Sequence, residues 1–253
     1  MSAFLKKEWM ELCRTGRLMI LLLVFTLFGI MNPALAKLTP WLMETLSESL
    51  ADTGLVTTSV NVDAMTSWAQ FYKNIPVGLI IFILISSGSF TAEYQKGTLI
   101  PVVTKGLSRR KIVLAKAWMI FAAWTALYWI CFGITYGYNA YFWDNGIAYH
   151  LFLAAALTWL FGMWAIALLV FFSAVSRSST QVLLGVGGAS MGVYLLSMFP
   201  KLSAFLPVKL MDGMSLLQGQ NNPGDYFISI AAVGLMICLS MVLAVVFFDR
   251  KRL

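Results

Sequence analysis

The fold class predicted by the sequence is an all-α membrane protein with six transmembrane helices, and three observations predict it. Apolar residues make up 60% of the 253-residue chain and charged residues only 11%, less than half of the roughly 25% that a soluble surface of this size requires. Mean hydropathy is +0.80. Six stretches also reach the length of about 20 apolar residues needed to cross a hydrocarbon core of about 30 Å. They are 18–36, 75–92, 117–138, 151–175, 180–199 and 226–248, and none contains Asp, Glu, Lys, Arg or His.

The segment before the first span has its own pattern. Phe4, Leu5, Trp9, Leu12 and Cys13 gather on one helical face, while Lys6, Lys7, Glu11 and Arg14 fall mostly on the other. This predicts an amphipathic helix lying in the membrane interface. Ala34-Leu35-Ala36 also has the form of a signal-peptide cleavage site. The apolar run before it exceeds the usual 7–15 residues and the basic region is long, so retention of the segment is expected.

Orientation follows from the Lys/Arg asymmetry of the loops. With the N-terminus inside, fourteen of the eighteen Lys/Arg fall on the cytoplasmic side, leaving Lys37, Lys73, Lys201 and Lys209 outside. The acids lean the other way. Both termini are therefore expected in the cytoplasm, as an even number of spans requires. The net charge of +7 thus marks topology and predicts no nucleic-acid partner. The three scattered cysteines, Cys13, Cys131 and Cys238, form neither a disulfide framework nor a zinc pattern.

Two outer segments are more than turns. In 37–74, Thr39 as N-cap, Pro40 at the first helical position and Leu42, Leu46 and Leu50 at four-residue spacing predict a short helix on the outer leaflet. Trp41 and Trp68 are the expected interfacial anchors. Residues 200–225 are too apolar for a free loop and too broken by Pro200, Pro207, Gly213, Gly219 and Pro223 for a span. A re-entrant or extracellular helical hairpin before the last span is expected there, its backbone buried against protein.

Several function classes find no support. The one histidine, His150, has no motif around it, and H-E-x-x-H, C-x-x-C and the P-loop G-x-x-x-x-G-K-[ST] are all lacking. No catalytic, cofactor-binding or metal-binding residue is therefore expected in this chain. With no ionisable group inside the six stretches, an ion-driven carrier is disfavoured. Any uphill transport would draw its energy from another polypeptide.

The loop joining the second and third spans is the most informative segment. From Glu93 to Lys116 it carries six cations and one acid with apolar residues interleaved. Topology marking and anionic lipid explain a basic inner loop, but this one also has features of order. Ser108 can cap the helix leading into the third span, and Gly97 can end a short helix begun near Glu93. The expected product is a compact element presenting Glu93, Lys96 and Arg109 to the cytoplasm.

The order Glu93…Gly97-Thr98-Leu99…Thr104…Leu107-Ser108-Arg109…Lys116 after a second span resembles the coupling segment of ABC-2 type exporter permeases, with Gly106 where proline is common. The resemblance extends over the whole chain: interfacial helix, six spans, long first outer loop, short turn at Ser176–Ser179 and broken hairpin before the last span. It implies one permease domain over residues 1–253 of a bacterial cytoplasmic membrane, pairing with a second permease chain as a homo- or heterodimer. It also implies two separate ATP-binding subunits, which would hold ATP and magnesium. Glu93, Lys96, Gly97, Thr98, Ser108 and Arg109 would couple to those subunits, with the N-terminal helix (Phe4, Leu5, Trp9, Leu12) as a second contact.

Gly185, Gly188, Ala189 and Gly192 place small residues four apart in the fifth span, which permits close helix approach. Packing within one chain and packing between two permeases both fit the spacing; the resemblance implies the second. Asn32-Pro33 in the first span could mark a kink or a gate. Aromatic residues such as Trp124, Tyr128, Trp159 and Trp164 suit either a path for hydrophobic or amphipathic cargo (peptide, lipid or drug) or faces turned to lipid. An ATP-driven exporter permease, a scaffold recruiting a soluble partner through the 93–116 loop, and a lipid-modifying enzyme are three classes open to the residues, the last lacking any catalytic constellation.

Overall fold

The computed structural model describes residues 2–50, 62–95, 97, 104 and 108–251. The elements are α1 (Ser2–Arg14), α2 (Arg17–Leu50), α3 (Ala64–Ser86), α4 (Gly88–Gln95), α5 (Arg109–Phe142), α6 (Leu151–Val175), α7 (Ser179–Ser197), α8 (Pro200–Ser203), α9 (Gly213–Leu217) and α10 (Phe227–Arg250). Six of the helical segments, including α3 with α4 as one, are long and apolar enough to cross a membrane. The chain is a multi-pass, all-α membrane protein, with no strand among the described residues.

The first span differs from expectation. α2 runs unbroken through Pro33 and Pro40 to Leu50, so no separate surface helix begins at Thr39. Its hydroxyl donates to the Leu35 carbonyl at 2.8 Å, the back-bond of a residue inside a helix rather than an N-cap. The proline at position 33 cannot bond the carbonyl four residues earlier. That carbonyl, Gly29 O, instead accepts from Thr135 Oγ1 at 3.1 Å, which is how a membrane helix accommodates an internal proline.

Asn32, with no measurable exposure, completes this junction. It donates to Thr135 Oγ1 at 3.1 Å and accepts from Asn74 Nδ2 at 2.8 Å. Three helices, α2, α3 and α5, are thus tied by uncharged polar groups in the interior.

The second span begins three turns before its expected start, because Asp63 caps it. Asp63 lies in extended backbone, and Oδ1 accepts from the Thr66 N–H at 3.0 Å. Trp68 consequently lies on the span rather than at the interface. It is fully buried, donates from Nε1 to Asn145 Oδ1 at 3.1 Å, and sits 5.2 Å from the Phe132 ring. Trp41 is exposed.

The core lies where α2, α3, α5 and α6 meet. Phe25, Phe82 and Tyr128 surround Trp124 at ring separations of 5.5–5.8 Å, a range in which edge-on and tilted pairs add to burial. The polar tips are satisfied: Trp124 Nε1 donates to Trp159 O at 3.3 Å and Tyr128 Oη to Ala155 O at 2.7 Å. Trp124, Tyr128 and Trp164 therefore face neither lipid nor an open path; they pack helix against helix. Gly162 permits this approach, since a Cβ there would meet the Trp124 ring at 2.2 Å.

Residues 200–225 form short helical turns folded over the ends of α3, α6 and α10 opposite the termini. Leu210, Leu216 and Leu217 are fully buried there, and the Leu217 carbonyl accepts from the Tyr149 N–H at 3.0 Å. The second half of this segment is thus buried against protein, as expected, whereas Leu202 and Phe205 remain exposed. His150 sits exposed at the entry to α6 with φ +48.

Candidate functional site

At the end carrying both termini, α4 is the element on which the other helices converge. It continues α3 past Ser87 and stops at Gly97, whose φ is +67 and whose N–H reaches Tyr94 O at 3.2 Å. Glycine reaches this left-handed conformation without the Cβ clash other residues meet, so Gly97 ends the helix as its position suggested. The helix starts at Gly88 rather than near Glu93.

Four α4 side chains fan out to different parts of the fold. Thr91 Oγ1 lies 2.8 Å from Ser179 Oγ at the start of α7. Glu93 pairs with Lys7 on α1 and with Lys116 on α5. The Tyr94 ring lies under Lys251 Nζ at 4.5 Å, just past α10. Gln95 Nε2 donates to the Arg177 carbonyl, in the turn between α6 and α7, at 3.2 Å.

The ion cluster is the buried part of this arrangement. Lys116 is only 2% exposed, donates to Glu8 Oε2 at 2.8 Å and to the Ser89 carbonyl at 3.1 Å, and is ion-paired with Glu93 Oε2 at 2.9 Å. Lys7 contacts Glu8 at 3.0 Å, Glu11 at 2.9 Å and Glu93. Withdrawing such charges from water costs several kcal/mol per ion, and only complete pairing offsets that cost. Burial pulls the Lys7 ammonium down, but Glu93, Glu11 and Glu8 outweigh it and hold its pKa raised. Burial pushes the Glu11 carboxyl up, and Lys7 outweighs that to leave it lowered.

Carboxylate oxygens of Glu8, Glu11 and Glu93 lie within 4.8 Å of one another, close enough to hold a metal ion. The ammonium groups of Lys7 and Lys116 already pair with these oxygens and compensate most of their charge, so the donor set does not fit a resident cation. Glu93 itself is not presented outward. It is 6% exposed and turned into the protein, where Lys7 and Lys116 meet it.

The other expected site residues divide. Arg109 is half-buried, and its Nη1 donates to the carbonyls of Asp249, at 3.1 Å, and Lys251. It therefore satisfies orphan carbonyls at the end of α10 instead of facing outward. Ser108 occupies the N-cap position of α5 but makes no side-chain cap bond. Lys96 and Thr98 lie outside the described residues.

In α1, the inward stripe is Phe4, Glu8 and Leu12, with Leu5 half-buried, whereas Trp9 is 53% exposed. The face that packs on α5 is rotated from the purely apolar one because Glu8 must meet Lys116. The helical spacing of Phe4, Glu8 and Leu12 could have shown this, as could the lone cation Lys116 within an apolar run.

Lys251 closes the other side. Its Nζ donates to Ala174 O at 3.1 Å, near the end of α6, and to the carbonyl of its C-cap Ser176 at 2.5 Å. Burial, followed by the nearby Arg177, lowers its pKa to about 8. In α7 the small residues split: a Cβ on Gly185 would meet the Phe172 ring of α6 at 2.3 Å, whereas Gly188 and Gly192 have open space. Gly185 thus packs within the chain, and Gly188 lies on the exposed face with Leu184 and Met191.

Compared with known protein families, residues 2–227 match the family described as ABC-2 family transporter protein. No curated protein matches the chain.

Proposed function

Because the chain belongs to the ABC-2 family of transporter proteins, we propose that it is the permease subunit of an ATP-driven exporter. Two permease chains form the path through the cell membrane, and two separate ATP-binding subunits supply the energy. ATP and magnesium bind to those partners, and this chain carries no cofactor of its own. Both termini and α4 face the cytoplasm, as the excess of Lys and Arg at that end favours.

The observation that carries this reading is the set of α4 contacts. A partner that displaces α4 strains its links to α1, α5, the α6–α7 turn and the end of α10 together. Energy from ATP acts on a membrane path only by shifting an element with two arrangements, and an element tied to both ends of the sequence suits that task. Gly97, Lys96 and Thr98, at and beyond the end of α4, form the contact with the ATP-binding subunit; Glu93 and Arg109 hold α4 and α10 in place behind it. The exposed face of α7 around Gly188 and Gly192 packs against the second permease. A hydrophobic or amphipathic cargo is in keeping with six apolar stretches that carry no Asp, Glu, Lys, Arg or His to pair with an ionic one.

The test is purification in mild detergent from the native host, with identification of what accompanies the chain. A stoichiometric P-loop ATPase is expected, with hydrolysis that falls on Lys96→Glu while the permease stays folded. A chain arriving without an ATPase, or with a partner indifferent to ATP, overturns the reading and favours a scaffold.

A further inference from the structure

A groove of about 320 Å³ runs between the first turns of α5 and the last turns of α10. Its walls are Leu114, Met241, Val242, Val245 and Val246, and Arg110 and Asp249 stand at one end. Val242 is 61% and Leu114 44% exposed, and both belong to spanning helices, so the long side of the groove opens toward the membrane.

Charge is gathered at the polar end. Arg110 meets Asp249 through Nε alone, at 2.9 Å, and its two Nη groups have no partner among the described residues. Lys111 and Arg250, the adjacent positions on the same two helices, are exposed. The arrangement is amphiphilic: apolar walls along the spans and a surplus of cations where they end. A guanidinium with free Nη groups matches a phosphate in both geometry and charge.

We propose that this groove binds an anionic phospholipid of the membrane, with one acyl chain along α5 and α10 and the phosphodiester on Arg110, Lys111 and Arg250 adding attraction. A free phosphate would leave the apolar walls uncovered. A helix of a second protein would leave the cations without a counter-charge. The bound lipid ties the helix that follows the α4 loop to the last span. This goes beyond the exporter reading and does not depend on which cargo or ATPase is involved.

The test uses the full chain extracted from vesicles of equal phosphatidylglycerol and phosphatidylcholine, with retained lipid read by native mass spectrometry. Retained phosphatidylglycerol is expected to exceed phosphatidylcholine, and to fall roughly five-fold for each cation removed in the series R110Q, K111Q and R250Q. Val242→Trp fills the groove without altering charge and is expected to lower retention as well, while Lys201→Gln at the opposite end leaves it unchanged. Equal retention of both lipids overturns the proposal. So does a loss with the cation variants but none with V242W, which would mean surface attraction only. Thermal protection by inorganic phosphate equal to that by phosphatidylglycerol also overturns it, as does a V242W variant that loses dimer rather than lipid.

Discussion

Glu93 of α4 and Lys116 of α5 stand 2.9 Å apart in a site almost closed to solvent. Their pairing joins the two ends of the loop that separates the second and third spans. Removing one partner of a buried pair leaves the other charge uncompensated, which costs about 3–5 kcal/mol. Lys116→Met is therefore expected to lower the melting temperature sharply in detergent. Glu93→Gln with Lys116→Met is expected to lose less than the two single losses combined, and additive losses would show that the pair is not coupled.

Lys7, which reaches Glu93 on α4, and Glu11, its partner within α1, give the helix and its docking a pH window. The raised Lys7 pKa gives stability that is full below its ordinary value of 10.5 and lost above its raised one. The lowered Glu11 pKa gives stability present above its ordinary value of 4.5 and lost as pH falls through the lowered one. Intrinsic-rate-corrected hydrogen exchange over Ser2–Arg14 is expected to stay flat through neutrality and to rise in acid. Protection that persists far below that range would contradict the pairing.

Two glycines of α7 distinguish packing within the chain from the proposed pairing of two permeases. Gly185→Ala forces the Phe172 ring to move and is expected to cost about 1–3 kcal/mol, the range for overpacking. Gly188→Leu meets open space and is expected to leave the melting of the single chain unchanged while weakening its association with a second permease. Equal melting losses for both variants would place Gly188 inside the fold.

Asn139 is fully buried on α5, one turn from Thr135, and neither atom of its amide has a partner among the described residues. Replacing an unpartnered polar group by an apolar one of similar shape is neutral or stabilising. Asn139→Leu is thus expected to hold or raise the melting temperature. Asn32→Leu, which strips Thr135 and Asn74 of a partner, is expected to lower it by about 1–3 kcal/mol of stability.

Asp63 sets the start of α3. Asp63→Ala removes the acceptor for the Thr66 N–H and is expected to cost about 1 kcal/mol. Asp63→Ser restores most of it, and a melt indifferent to either substitution would refute the capping assignment.

Hydropathy alone made the six spans legible, because lipid enforces a length and a composition on any helix that crosses it. Gly97 was legible as a helix stop for a similarly local reason. The ends of the spans were not. α2 runs past Ala36 because Thr135 takes up the carbonyl that Pro33 leaves free, and α3 starts early because Asp63 caps it. The partner in the first case lies about a hundred residues away in sequence, beyond the reach of any window of neighbours; the Asp63 cap is local and could have been read.

The sequence by itself determined a helical, six-span membrane chain with its basic residues gathered at one end, since burial of apolar surface and the cost of charge in lipid act on composition and order. Only the tertiary structure decided what those charges do. Glu93, Arg109 and Lys116 sit in a basic stretch whose first two charges read, from the sequence, as an outward surface. Packing turns them inward onto Lys7, Glu8 and the carbonyls of α10. The cost of burying a charge depends on which partner meets it, and that is fixed by contacts between helices rather than by neighbours along the chain.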